Sequence, residues 1–451
     1  MHFDTLIFNG IIITVNAGFE IVENGAVGIL NGRIEYAGPA PDIPGGTAAS
    51  AARHIDAEGG LVMPGLVNTH THLPMSLFRG LADDLPLDQW LNNHIFPAEQ
   101  QHINPETVKW GTLLSCAEML LSGTTTCCDG YFFEDSVAEA VSEAGMRGVL
   151  GQGVIDFPAP GVADPKDNVA HAAGFIRKWK NRSPLIHPAI FCHSPYTCSK
   201  ETLVSAKQAA NREKVLFQVH VAETRSEAHL AGLPPDISLL QYLDAAGILD
   251  ADTLVVHAVW AGPEDIELLA RRHVKISYNP ESNMKLASGI APVPDMLKAG
   301  LVVGLGTDGA ASNNNLDMFQ AMGAAARLHK ASLNDPTVMD AETVIRMATI
   351  EGARAMGLDD RIGSIETGKE ADLVIVDTRK PHLSPLYHPR SHIVYAARGA
   401  DIRHAMVRGN LLVKNGRLTR LDAGKIIEAV NSIAQNIRQS DRGESRAQSE
   451  R

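Results

Sequence analysis

Short apolar runs, each closed by polar or charged residues, recur through the middle of the chain, and the stretches between them carry the wider spacing of helices. In order they read LVMPGLVNTHTH (61–72), GTTTCCDG, RGVLGQGVID, IHPAIFCHSPY, VLFQVHVAE, TLVVHAVW, VKISYNP and LVVGLGTDG. Eight buried strands separated by helices over about 300 residues predict a closed barrel, whose chemistry sits at the C-terminal strand ends. Before about 62 the texture differs: strand-like runs such as LIFNGIIITV are punctuated by Asn9-Gly10, Asn24-Gly25 and Asn31-Gly32, the dipeptides of tight hairpins. The same texture returns after about 363, with Asn415-Gly416 as another turn. The expected architecture is α/β, a (β/α)8 TIM-type barrel over 63–362 with a small β-sandwich domain of short antiparallel strands formed by both termini, 1–62 and 363–425. Ile426, Val430, Ile433 and Ile437 recur at helical spacing, so 426–451 reads as a docked terminal helix with a polar, disordered tail after Ser440.

Composition narrows the partners. The 451 residues are 45% apolar, ample for a barrel with a satellite domain, and the net charge is −12. No basic stretch or aromatic interleaving would track a phosphate backbone, which argues against nucleic acid. No apolar run approaches the roughly 18 residues of a membrane span, and the five cysteines, odd in number and without CxxC spacing, suit a reducing cytoplasm.

The candidate chemistry lies in five residues. His70 and His72 stand two apart at a strand end, so both point the same way, while His220, His257 and Asp308 each close a later apolar run. Imidazoles with a carboxylate make a metal site. Gly304-Leu305-Gly306-Thr307-Asp308-Gly309 satisfies the dinucleotide pattern literally, but it opens into GAASNNN instead of a βαβ unit with an acid about 20 positions on. The H-x-E and P-C-x-x-C signature of cytidine-type deaminases is absent.

PGLVNTHTH, CHSPY, HVAE, VHAVW, SYNPESNMKLASGIAP and GTDGAASNN together resemble the amidohydrolase superfamily, and RGLADDLPLDQWLNNHIFPAE resembles more narrowly its 5-methylthioadenosine/S-adenosylhomocysteine deaminases. The resemblance implies one divalent metal per chain, zinc by preference over iron(II) or nickel(II), held by His70, His72, His220 and Asp308. Binuclear relatives carry a bridging lysine or acid at the end of strand four; that end here reads Phe191-Cys192-His193-Ser194-Pro195, and Lys200 lies beyond it. The implied reaction is attack of hydroxide, made available on the metal, at C6 of an adenine ring, yielding the inosine analogue and ammonia. Glu223, three residues after His220, is the candidate donor to ring N1. Asp308 takes the proton of the attacking water and delivers it to the departing amine. His257 orients the hydroxide, with a role as fifth ligand left open.

The same carry-over assigns Glu99 to the ribose hydroxyls, His193 to the nucleoside and Ser312 to the purine; Trp90 either stacks on the base or fills the core. Some members have an arginine after strand three facing the amino-acid end of S-adenosylhomocysteine, where this chain reads Gly151-Gln152-Gly153 and then the apolar Phe157-Pro158-Ala159-Pro160. Methylthioadenosine and adenosine are therefore expected to exceed S-adenosylhomocysteine as substrates, unless Arg147 or a neighbouring subunit supplies the cation. The alternatives are a triazine-type chlorohydrolase or aminohydrolase, a guanine-type deaminase, and a metal-binding scaffold without activity. A homo-oligomer, dimer or tetramer, is the expected assembly.

Overall fold

The computed structural model describes residues 2–44 and 50–449. Eight parallel strands form the barrel, and they follow the terminal-sheet strands β1 (His2–Ile13), β2 (Ile21–Leu30), β3 (Arg33–Pro39), β4 (Ser50–Asp56) and β5 (Leu61–Pro64). They are β6 (Leu66–Thr71), β7 (Thr124–Tyr131), β8 (Arg147–Val154), β9 (Ile186–Cys192), β10 (Phe217–Val221), β11 (Thr253–His257), β12 (Lys275–Tyr278) and β13 (Val302–Leu305). Each pairs with the next in sequence. Every residue of β6, β7, β8, β10 and β11 is buried, because a parallel strand is covered on both faces; that is why these strands read as continuous apolar runs. Beyond the end of β13 the chain returns to β6: Asp308 N donates to His70 O at 3.0 Å, and Asn68 Nδ2 donates to Thr307 Oγ1 at 2.7 Å. Some of the helices between strands start at side-chain caps, as where Asn104 Oδ1 accepts from Glu106 N and Thr107 N at the head of Pro105–Leu121.

Both termini build one second sheet, completed by β14 (Leu373–Val376), β15 (Ile402–Val407), β16 (Asn410–Lys414) and β17 (Arg417–Leu418). It is mixed where antiparallel strands were expected: β1 runs parallel to β4 and β5. The run 61–72, read as one strand, is two. Leu61–Pro64 pairs with β1 and β14, Gly65 N donates to Asp372 O at 2.9 Å, and only from Leu66 does the chain enter the barrel. Asn31-Gly32 and Asn415-Gly416 make the expected turns, both residues having positive φ. Asn9-Gly10 and Asn24-Gly25 do not. They lie inside β1 and β2, where Gly10 faces Gly25 and the register slips on both sides of Gly10, so the positive φ of Asn9 and Asn24 serves a bulge instead of a reversal.

The terminal helix, Ala423–Ser449, buries Ile426, Val430 and Ile437 and packs on Pro105–Leu121. It runs to Ser449; residues 450–451 of the expected tail lie outside the described residues. No helix among the described residues is long and apolar enough to cross a membrane.

One ion cluster ties the two units together at the N-terminal ends of the barrel strands. Arg147, fully buried at the first position of β8, donates from Nη2 to Glu370 Oε2 at 2.6 Å and from Nε to Asp372 Oδ2 at 3.0 Å. It is thus spent on structure, far from any substrate. Removing one partner of such a pair strands a buried charge, typically at a cost of about 3–5 kcal/mol. Arg147→Ala should accordingly lower the Tm markedly, measured by differential scanning calorimetry; an unchanged Tm would show that the cluster contributes nothing.

Candidate active site and metal centre

The strand ends bring together every residue singled out as a metal ligand. His70 Nε2 lies 3.1 Å from His220 Nε2, and Asp308 Oδ1 lies 3.4 Å from both His70 Nε2 and His72 Nε2. Such separations match the edge of a tetrahedron whose arms are about 2.0–2.1 Å, the length of zinc bonds to imidazole or carboxylate. His72 Nδ1 donates to Gly130 O at 2.6 Å, which leaves its Nε2 lone pair free. Burial holds two of the imidazoles neutral: His70 is pushed down to about 4 and His220 well below its ordinary value. Burial alone would raise Asp308, but its His70 contact and the surrounding imidazoles hold it well below the usual carboxylate range. Neutral imidazoles and an ionised carboxylate are the metal-binding forms, so the donor set fits a divalent cation. Lys200 is exposed on the helix after β9, and no lysine lines the pocket among the described residues.

Backbone strain aims two of these groups. His257 and Asp308, each just at or beyond its strand end, adopt φ of +77° and +66°, a region that costs roughly 1–2 kcal/mol for a residue with a Cβ. Gly306 has no such freedom to spare for a side chain: a Cβ there would stand 2.3 Å from Asn279 Oδ1. The dinucleotide-like glycines therefore serve close approach at the strand end, in keeping with the sequence reading.

His72, Glu99, His193, His220, Glu223, His257, Asp308 and Ser312 all line one pocket, with His70 buried behind it. Glu223 is buried, with Oε2 3.7 Å from His257 Nε2 and Oε1 3.4 Å from Ser288 Oγ. Burial, reinforced by the charge of Asp308, pushes its carboxyl up to about 8. Glu99 is also buried, and accepts a 2.6 Å hydrogen bond from Tyr131 Oη; burial pushes it up to about 7 against the opposing effect of that bond. His193 Nδ1 sits 2.9 Å from Thr197 Oγ1, and Ser312 Oγ donates to Gly309 O. Trp90 lines the pocket with its indole N–H on Ala82 O.

Gln152 is not part of the site. Its Oε1 accepts from Glu134 N at 3.2 Å, and it borders a separate cleft with Phe133, His171 and Lys178, whereas its neighbours Gly153, Val154 and Ile155 face the pocket.

Several supporting residues carried no sequence signal. Tyr131 holds Glu99. Asp129 Oδ1 accepts from Thr71 Oγ1 at 2.8 Å and Leu73 N at 2.6 Å, which pins the turn after His72. Ser282 Oγ donates to Asp308 Oδ2 at 2.7 Å, and Asn279 and Asn283 meet His257. The run SYNPESNMKLASG was noticed without roles for these side chains; nothing periodic marks a loop polar residue as a partner.

Barrel, mouth and donor set define a class: the chain belongs to the amidohydrolase family, whose pattern matches residues 61–412. Within that family it is 47% identical to the 5-methylthioadenosine/S-adenosylhomocysteine deaminase of Syntrophobacter fumaroxidans, over 96% of this chain and 98% of that one. It is 46% identical to the 5'-deoxyadenosine deaminase of Methanothermobacter thermautotrophicus, over 85% and 89% of the two chains. The crystal structure of an adenosine deaminase from Xanthomonas campestris with bound zinc superposes with a TM-score of 0.93 at 37% identity, covering 97% of this chain and 99% of that one.

Among the described residues the two possible ligand groups share His70 and form one cluster, which predicts one tightly held divalent ion per chain, by elemental analysis of the purified protein. His220→Ala should lose it. A requirement for two equivalents would overturn the mononuclear arrangement.

Proposed function

We propose that this protein is a hydrolytic deaminase of adenine nucleosides, releasing ammonia and the inosine analogue, with one divalent metal held by His70, His72, His220 and Asp308. Zinc is the favoured ion, given the three-imidazole, one-carboxylate donor set. The observation that carries the reading is the arrangement of one pocket: a proton-bearing acid, Glu223, stands beside the donor cluster, and a second carboxylate, Glu99, stands elsewhere on the wall. The first suits an adenine ring and the second its ribose diol. A triazine or a free guanine base would leave Glu99 and Tyr131 with nothing to hold.

When bound, the cation lowers the pKa of water and makes a nucleophile available near neutrality. The chain's own groups do the rest. Glu223, protonated at neutral pH, donates to ring N1 and draws electron density from C6. Asp308 accepts the proton of the attacking water and passes it to the exocyclic nitrogen, which leaves as ammonia. His257 orients the water, His193 and Ser312 contact the nucleoside, and Glu99 binds the ribose hydroxyls, where a carboxylate with two acceptor oxygens suits a vicinal diol.

Beyond Glu99 the pocket continues into a second hollow walled by Phe96, Pro97, Phe132, Phe157 and Pro158, with the Phe96 and Phe157 rings edge to face at 5.5 Å. No lysine or arginine lines either hollow among the described residues. A 5′ group that is small or apolar fits there better than a zwitterionic amino-acid tail, so methylthioadenosine, 5′-deoxyadenosine and adenosine are the preferred substrates. Five free, buried cysteines agree with a reducing, cytoplasmic setting.

A panel of these nucleosides with S-adenosylhomocysteine, guanine and a chlorotriazine, followed by ammonia release, tests the assignment. No turnover of any adenine nucleoside would defeat it, and a higher kcat/KM for S-adenosylhomocysteine than for methylthioadenosine would defeat the 5′ preference. Glu223→Gln should cost roughly 10²- to 10⁴-fold in kcat, and Asp308→Asn more, since it also holds the metal. Because the active form of Glu223 carries its proton, kcat/KM should fall as pH rises through about 8; Glu223→Gln should remove that limb. The 2′,3′-dideoxy analogue of adenosine should be a poor substrate, and parity with adenosine would disconnect Glu99 from the ribose.

A further inference from the structure

His257 stands among the ligand-type groups, a ring nitrogen within 4.8 Å of a ring nitrogen of His70 and a carboxylate oxygen of Asp308, yet its surroundings differ from theirs. Its Nδ1 faces two buried side-chain amides: Asn283 Nδ2 at 2.9 Å and Asn279 Nδ2 at 3.3 Å. The other end of the Asn279 amide is engaged, since its Oδ1 lies 3.4 Å from Ser277 Oγ, and that hydroxyl is in turn 2.7 Å from Thr69 Oγ1. An amide nitrogen only donates, so an imidazole nitrogen that meets two of them accepts. A neutral imidazole carries one proton, and here it belongs on Nε2. His72 shows the reverse: a backbone carbonyl, Gly130 O, takes its Nδ1 proton and leaves Nε2 free as a ligand. A carbonyl behind one histidine and amides behind the other assign opposite tautomers to two rings of the same cluster.

We infer that Asn279 and Asn283 are positioning residues that hold His257 as its Nε2–H tautomer, keeping it a hydrogen-bond donor to the attacking water and denying it to the cation as a ligand. The inference rests on the deaminase reading for its purpose, but the tautomer itself does not. His257 Nε2 points toward Glu223 Oε2, 3.7 Å away, so its proton is directed into the pocket. The same segment, 279–288, also supplies Ser282 to Asp308 and Ser288 to Glu223, so one stretch of chain after β12 holds all three acid–base groups. Trp260 braces it from outside by donating from its indole N–H to Ser288 O at 2.8 Å.

The decisive measurement is the ring-nitrogen spectrum of the holoenzyme labelled with ¹⁵N-histidine, with His257→Gln to assign the signals. The expected result is an Nε2-protonated His257 that does not shift when zinc is exchanged for cadmium, whose nuclear spin couples only to its ligands. Coupling of cadmium to His257, or a proton on Nδ1, would overturn the proposal. Asn283→Asp replaces the donor by an acceptor of nearly the same shape. It should move the proton to Nδ1, slow the loss of metal to a chelator and lower kcat by roughly 10- to 100-fold, the usual scale for an outer partner of a metal site, while KM changes little. Asn283→Asp with kcat and chelator kinetics of the wild type would also overturn it. The labelled spectra need no substrate, so their outcome is separate from whether adenine nucleosides are turned over.

Discussion

One buried negative charge organises the mouth of this barrel. Asp308 is ionised in a place from which water is largely excluded, and isolated charges are intolerable there unless compensated. The hydroxyl of Ser282 donates to one of its oxygens at 2.7 Å and the backbone N–H of Gly309 to the other at 2.6 Å, while the rings of His70 and His72 stand 3.4 Å from that second oxygen. With that charge in place, a second one nearby is costly. Burial, reinforced by that charge, keeps Glu223 neutral, so two carboxyls of one pocket are held in opposite protonation states by their surroundings alone.

The pocket has two characters because its walls come from two kinds of chain. The hydrolytic end is built from the strand ends and the tight segment after β12, all of them packed and hydrogen bonded. The opposite end comes from longer connections, the segment around Glu99 and the Phe157–Pro160 stretch after β8, and is mostly apolar, with Glu99 its one charged group beside the amides of Asn92 and Gln100. A rigid reaction centre with a variable far wall is the means by which one barrel serves many substrates.

The strands and the His and Asp residues that cluster at their ends were legible in the sequence because burial on both faces makes each parallel strand an apolar run, and a His or Asp at the end of such a run stands out. The parts that were misread share one cause: their outcome depends on a partner distant in sequence. Asn9-Gly10 and Asn31-Gly32 have the same local preference for positive φ, and only the strand opposite decides that the first is a bulge and the second a turn. The join at Gly65 lies inside an unbroken apolar stretch, so nothing local shows that Leu61–Pro64 belongs to another sheet. Gln152 stands where an arginine was looked for, but its side chain turns to the N-terminus of the helix after β7 and away from the pocket. Tyr131, Ser282, Asn279 and Asn283 are ordinary polar residues until the fold sets a catalytic group beside each.

The cluster around Arg147 has a consequence for the order in which the protein is made. All eight barrel strands have been synthesised once the ribosome has passed Leu305, but the carboxylates of Glu370 and Asp372 come later. Until they emerge, closing the barrel would seal a guanidinium into its floor with no counter-charge. The buried cluster can therefore be completed only when the C-terminal half of the second sheet arrives to supply both carboxylates. An unfinished chain thus lacks the piece that would let it harden into a nearly correct but incomplete shape.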